Sequence, residues 1–187
     1  MTATLTNRQM QQVLDFWFSD DIRPAWFRST RELDALIRDR FEATWRQAAD
    51  GALDHWAGGA DGALALVIVL DQFPLNMFRG RPESFATEGK AIAICRQAID
   101  NGLDRQLVGE RRAFLYMPLM HSEDLANQER SVALFEAAGL DDNLRFARHH
   151  CDLIRRFGRF PHRNAILGRE STTEEKTYLS SGQAFLG

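Results

Sequence analysis

The feature that most constrains the fold is an apolar residue at every fourth position of one stretch. That stretch carries Leu33, Ile37, Phe41 and Trp45, and residues 29–32 before it read Ser-Thr-Arg-Glu, a helix-capping pattern. Side chains four positions apart share one face of an α-helix, whereas a strand requires strict alternation. Similar helical patterns recur along the chain, and no strand pattern is found. The sequence therefore predicts an all-α fold.

The spacing of the predicted helices also suggests how they pack. Short connections favour antiparallel helical hairpins, stacked as in a tetratricopeptide-repeat array, although no clean repeat of about 34 residues is found. With 187 residues, of which 44% are hydrophobic, the chain suits a single domain over residues 1–187. Residues 180–187 are expected to form a loose tail.

Two prolines are expected to disturb the predicted helices. Pro74 lies in an apolar helix over residues 63–77 and predicts a kink or stop near residues 72–73. Pro118 is expected to break a short helix over residues 110–117, and Ser122 is expected to cap the next helix.

Several observations bear on the surroundings of the protein. The longest apolar run, residues 63–70, is far shorter than the roughly 20 residues that span a bilayer, and the first residues lack an apolar signal core. Two cysteines make no disulfide framework. A net charge of −3 gives no indication of nucleic-acid binding. We therefore expect a cytoplasmic protein without a nucleic-acid or membrane partner.

Charge is unevenly distributed despite this acidic total. Residues 145–169 contain seven arginines against Asp152 alone, a local charge of about +6. Arginine side chains bind carboxylates and phosphates through paired hydrogen bonds. The window therefore indicates an anion site, with solvated surface arginines as the alternative.

Polar groups that helix packing does not require occur in three segments, residues 70–80, 116–124 and 155–164. The Asp71 carboxylate lies three residues before Pro74. It could bind a ligand cation, orient a histidine or accept hydrogen bonds from the amide groups freed by Pro74, or it could simply pair with an internal arginine. A histidine at residue 121, just before the predicted helix start, suits an anion or proton transfer, or only closes that helix. The candidate ligand-binding residues are Asp71, Gln72, Asn76, Arg79, Tyr116, His121, Glu123, His150, Arg156, Arg159, His162, Arg163 and Asn164.

Familiar catalytic and metal motifs are absent from the sequence. It has no glycine-rich phosphate loop, no nucleophile elbow and no zinc-protease motif. His149 and His150 are adjacent and diverge by about 100° on a helix, so they do not face one metal together. Cys151 lies mid-helix among apolar residues, which disfavours a nucleophile. We expect neither a bound metal nor a cofactor.

The same segments carry a family resemblance. Residues 13–18 (Val-Leu-Asp-Phe-Trp-Phe), 70–74, 116–123 and 156–164 (Arg-Phe-Gly-Arg-Phe-Pro-His-Arg-Asn) resemble a largely bacterial family of uncharacterised proteins, domain of unknown function nine-two-four. The resemblance implies an all-α fold similar to tetratricopeptide repeats. It implies no reaction.

Three hypotheses of function follow. The first is a protein that binds a small anionic ligand, or an acidic peptide or protein partner, in a pocket lined by arginine and histidine. The second is a hydrolase or transferase in which His121 or His162 carries the proton and Asp71 or Glu123 orients it. The third is a polar interior network that fixes helix geometry. The first two share the prediction that the three segments converge, and in the third they converge only as that network. The sequence predicts no oligomeric state.

Overall fold

The computed structural model describes residues 2–182 and 184, with side chains from residue 8 onward, and its regular structure is helical. No strand is found within these residues, so the predicted all-α class is confirmed. The α-helices are Thr2–Trp17 (α1), Arg31–Ala49 (α2), Ala60–Val67 (α3), Phe73–Met77 (α4), Glu88–Asp100 (α5), Gly109–His121 (α6), Leu125–Ala137 (α7), Asp141–Phe157 (α8) and Thr173–Leu179 (α9).

The chain forms two compact units. The first comprises Met1–Arg79 and Glu83–Pro118, and the second comprises Gly80–Pro82 and Leu119–Gly187. Helix α6 contributes residues to both. The predictions of a single domain over residues 1–187 and of a tetratricopeptide-like array stay predictions.

The first unit is built around α3 and its continuation. Residues 63–70 are almost completely buried, as expected for a helix that is apolar on nearly all sides. By length and composition Ala60–Met77 resembles a membrane span, and 89% of this window is buried inside the protein. The predicted stripe of α2 is confirmed, because Leu33, Ile37 and Phe41 are buried. The Phe41 ring lies 4.7 Å from that of Phe73.

Pro74 changes the helix without ending it. Residues Ile68–Gln72 form a π-helical turn, and α4 follows directly. Because Pro74 has no N–H, it cannot donate to the carbonyl of Leu70 four residues earlier. The Thr87 hydroxyl donates to that carbonyl instead, at 2.6 Å, and accepts from the indole N–H of Trp45 at 3.1 Å. The sequence predicts a kink or stop near residues 72–73; the structure has a π-helical turn that ends at Gln72, and the helix does not stop there.

Replacing Thr87 by valine is expected to destabilise the protein by about 1–3 kcal/mol, because the buried Leu70 carbonyl and the Trp45 indole both lose this partner. Urea unfolding followed by circular dichroism measures the change. Thr87→Ser keeps the hydroxyl and is the control. Equal stability of the valine and serine variants would contradict the assignment.

Two predicted helix boundaries were wrong. Helix α6 continues through Pro118 to His121, since an internal proline removes one backbone hydrogen bond and the following turn is retained. Helix α7 is capped by Asp124, whose carboxylate accepts from the Asn127 N–H at 2.9 Å, whereas Ser122 accepts from the Asp124 N–H. His121 therefore ends a helix instead of preceding a helix start.

The second unit contains a helical hairpin. Helices α7 and α8 pack against each other and are joined by residues 138–140. Helix α9 begins with a capping box of Thr172 and Glu175, which the sequence predicts. A core cluster of Leu153, Ile154, Phe160 and Tyr178 is covered in part by Ala184. Of the predicted tail, residue 183 and residues 185–187 lie outside the described residues.

Candidate functional site

The arginine-rich window is largely neutralised by carboxylates from neighbouring elements. Three of its pairs lie on the surface, with both partners about half exposed: Arg148 with Glu136, Arg155 with Glu129, and Arg156 with Glu174. Two further pairs, Arg159 with Glu175 and Arg169 with Glu123, are more enclosed. The local charge of about +6 in the sequence therefore does not become an exposed basic surface.

Arg159 holds a buried carboxylate. Its guanidinium donates to both oxygens of Glu175, at 2.7 and 2.9 Å, and the Glu175 side chain is 2% exposed. Asn164 and the Thr172 N–H donate to the same carboxylate. The hydrogen bonds from Arg159 lower the pKa of Glu175 to about 2. Arg159 and Asn164 thus fix the start of α9.

Glu123 organises the segment that follows α8. Its carboxylate accepts from the Phe160 N–H at 2.8 Å and from two Arg169 nitrogens at 2.6 and 2.8 Å. Burial alone would raise the pKa of Glu123, but the Arg169 and Phe160 hydrogen bonds hold it below its ordinary value. Residues from the second and third predicted segments therefore meet here.

The Phe160 ring is the centre around which the remaining polar groups are arranged. Phe160 is fully buried, and its ring centroid lies 5.3 Å from the His150 ring and 5.6 Å from the His162 ring. The Arg163 guanidinium lies 4.7 Å from the same centroid and donates to the His121 carbonyl at 2.8 Å. We call His121, Glu123, His150, Phe160, His162, Arg163 and Arg169 the Phe160 cluster.

Two histidines of the Phe160 cluster are neutral at pH 7. Burial lowers the pKa of His150 to about 3, and its Nδ1 lies 2.7 Å from the Phe146 carbonyl, so Nδ1 carries the proton. Burial, followed by the charge of Arg163, lowers the pKa of His162 to about 4.

This neutrality predicts acid sensitivity. Both pKa values lie below the unfolded value of about 6.5. Between these values the two histidines bind protons in the unfolded chain but stay neutral in the folded one. Stability is therefore expected to fall as the pH drops from about 6.5 towards 4, by up to about 1.4 kcal/mol per pH unit for each histidine.

Urea unfolding at a series of pH values measures this slope. The double variant His150→Gln/His162→Gln is expected to flatten it. His55→Gln, which alters an exposed histidine of the first unit, serves as the control. A double variant with the wild-type slope would contradict the assignment.

Five of the predicted residues lie in the first unit, three of them at the π-helical turn. Gln72 donates to the Asp71 carboxylate at 2.6 Å and contacts the Met117 sulfur at 3.6 Å. Asn76 donates to the Gln72 carbonyl at 3.0 Å. These buried groups satisfy one another and bring the first segment to the beginning of the second.

The other two residues have carboxylate partners that the sequence did not indicate. Arg79 donates to both oxygens of Asp34, at 2.8 and 3.1 Å. The Tyr116 hydroxyl donates to Asp104 at 2.6 Å, and burial raises the pKa of Tyr116. The convergence of all three segments at one place stays a prediction.

The geometry limits what the Phe160 cluster can do chemically. An acid–base pair needs a carboxylate oxygen that orients an imidazole. Arg169 and the Phe160 N–H already engage both oxygens of Glu123, and a His162 pKa of about 4 makes that ring a weak base at pH 7. In residues 2–182 and 184, no group of three His, Cys, Asp or Glu side chains is arranged to hold a metal ion.

Sequence reasoning missed the roles of Phe160 and Arg169, and it placed Glu175 in a capping box without its pairing to Arg159. Arg169 lies 46 residues from Glu123, and one sequence gives no signal for such a pairing. A cavity of about 460 Å³ in the first unit was also missed, and none of the predicted site residues lines it.

Comparison with known proteins extends these observations. The family model described as "Bacterial protein of unknown function (DUF924)" matches residues 13–183. A solved structure, of the protein of unknown function ATU0120 from Agrobacterium tumefaciens, is 40% identical, with a TM-score of 0.87 over 95% of this chain and 99% of that one. No curated protein matches. The chain therefore belongs to the bacterial family of unknown function DUF924.

Proposed function

We propose that this protein binds a small anionic ligand, or the acidic end of a peptide or protein partner, at the Phe160 cluster. The observation that carries the proposal is the position of Arg163. This residue is only 6% exposed, its guanidinium lies over the Phe160 ring, and His121 and His162 of the same cluster are half-buried. A ligand carboxylate or phosphate beside this guanidinium would add a charge-assisted hydrogen bond, which is stronger than one between neutral groups.

The electrostatics of His162 support the proposal. Burial is the largest cause of the low His162 pKa. Among the charges, Arg163 lowers this pKa by more than Glu123 raises it, and Arg169 lowers it further, so the net potential at His162 is positive. A carboxylate or phosphate placed there would gain from that potential and would raise the His162 pKa. The neutral ring also offers one donor and one acceptor for orienting a ligand.

The pairs described above narrow the list of ligand-binding candidates. Arg156 and Arg159 are engaged by carboxylates at the start of α9, and Asn164 donates to one of them. The proposal therefore assigns ligand contact to His121, His162 and Arg163. It assigns support to the remaining members of the Phe160 cluster. A cytoplasmic location is part of the proposal.

The test is a titration with inorganic phosphate and with citrate, followed by the His162 ring signals in NMR and by thermal shift. A ligand at 100 times its dissociation constant is expected to stabilise the fold by about 2.7 kcal/mol. The expected result is saturable movement of the His162 signals together with a rise of its pKa.

Arg163→Lys and its control Arg148→Lys separate specific binding from general charge effects. Both keep the charge, but only Arg163 lies in the Phe160 cluster, whereas Arg148 pairs with Glu136 on the surface. Loss of binding in the Arg163 variant alone would support the proposal. Unmoved His162 signals with every anion would overturn it and leave the Phe160 cluster as a network that fixes helix geometry.

A further inference from the structure

The cavity of about 460 Å³ lies entirely within the first unit, at the beginning of α3. Cavities of a few hundred Å³ suit small metabolites. Its lining combines flexible side chains, Met10 and Gln106, with the Trp56 region and the first turn of α3.

The first turn of α3 supplies backbone donors. The residue before it, Gly59, has no side chain with which to cap the helix. The N–H groups of Ala60, Asp61 and Gly62 have no acceptor within an α-helix, and the helix dipole places partial positive charge here. Donors of this kind favour carboxylate and phosphate groups.

Trp56 adds an independent observation. It lines the cavity and is 5% exposed, and its indole N–H has no hydrogen-bond partner among the described residues. Buried donors are almost always paired, so an unpaired one indicates a place where an acceptor binds. The carbonyl of Trp56 packs so closely on Gly62 that a Cβ there would collide with it. Trp56 is therefore held against the first turn of α3.

Asp61, an acidic residue of the cavity lining, has a charged partner. The Asp61 carboxylate would repel an anion, but it pairs with the Arg111 guanidinium at 3.0 Å. Removing the Asp61 charge would remove a repulsion and leave the Arg111 guanidinium available to an anion. Such a substitution is therefore expected to strengthen anion binding.

We propose that this cavity binds a small oxyanion, a carboxylate or phosphate group, through the first-turn N–H groups of α3 and the indole N–H of Trp56. Because that indole N–H is closed to water in this conformation, binding at it requires side chains of the lining to move. The site is independent of the Phe160 cluster and of its proposed ligand.

The experiment uses the indole N–H signals of the four tryptophans in NMR, assigned with Trp→Phe variants. The full chain is titrated with inorganic phosphate and, separately, with succinate, so that the two sources of oxyanion are distinguished. The expected result is a saturable shift of the Trp56 signal with at least one of them. No such shift with either probe would overturn the proposal.

Two substitutions sharpen the test. Trp56→Phe is expected to weaken binding about tenfold, the effect of losing roughly one hydrogen bond to a charged group. The matched control is Trp17→Phe, since Trp17 also has an indole N–H without a partner among the described residues but does not line the cavity. Equal affinities of these two variants would contradict the assignment.

Asp61→Asn is expected to strengthen binding severalfold, and weaker binding by this variant would also overturn the proposal. The Asp61→Asn variant tests the proposal even if Trp56→Phe does not fold. Arg163→Lys is expected to leave the Trp56 titration unchanged, which separates a failure here from a failure of the Phe160 cluster.

Discussion

Replacement of Phe160 by alanine is expected to lower the free energy of unfolding by about 3–5 kcal/mol, as for other fully buried phenylalanines. The ring supports His150, His162 and Arg163, so its loss removes packing and also leaves the Arg163 guanidinium without its aromatic face. Equilibrium unfolding in urea, followed by circular dichroism, measures the difference.

Two further variants isolate the cause. Phe146→Ala alters a phenylalanine that is 46% exposed on α8 of the same unit, and it is expected to cost less than about 1 kcal/mol. Phe160→Leu restores most of the volume but not the ring, so it is expected to recover part of the stability without the wild-type His162 signals. Similar losses for the two alanine variants would refute the central role of Phe160.

Replacement of Gly62 by alanine is expected to destabilise the protein by about 1–3 kcal/mol or more, the usual cost of forcing a group into a packed site. Alanine normally favours a helix over glycine by about 1 kcal/mol. Here its Cβ would collide with the Trp56 carbonyl, which belongs to the backbone and cannot turn aside as a side chain can.

The control variant for Gly62→Ala is expected to change stability in the opposite direction. Gly89 also lies in a helix, α5, and no atom lies within 4 Å of an added Cβ. Gly89→Ala is therefore expected to stabilise the protein by about 0.5–1 kcal/mol. Thermal and urea denaturation measure the change in stability of the two variants. An increase in stability for Gly62→Ala would show that the contact with Trp56 is not restrictive.

Local patterns in the sequence were enough to predict much of the fold. The four-residue spacing in α2 and the Thr172 capping box each depend on residues a few positions apart, and each is found in the structure. Before Pro74 the structure has a π-helical turn and not the stop that the sequence allowed. The errors at Pro118 and Ser122 have the same local origin. A proline does not always end a helix, and several polar residues in succession compete as caps.

The site was harder to predict because its contacts join distant residues. The arginine window predicts an anion site, and that stays a prediction, because a charge count along the chain omits the carboxylates that folding brings beside the arginines. Glu129 and Glu136, on α7, reach Arg155 and Arg148 on α8 only because the two helices form a hairpin. Pairings between separate helices leave no periodic signal in one sequence.

The hydroxyl of Thr87 links the substitutions that positions 74 and 87 can accept. Proline at position 74 is tolerable because Thr87 supplies the donor that proline lacks. Without the Thr87 hydroxyl the Leu70 carbonyl would lose this donor while proline occupies position 74. We therefore expect substitutions at positions 74 and 87 to act non-additively on the free energy of unfolding.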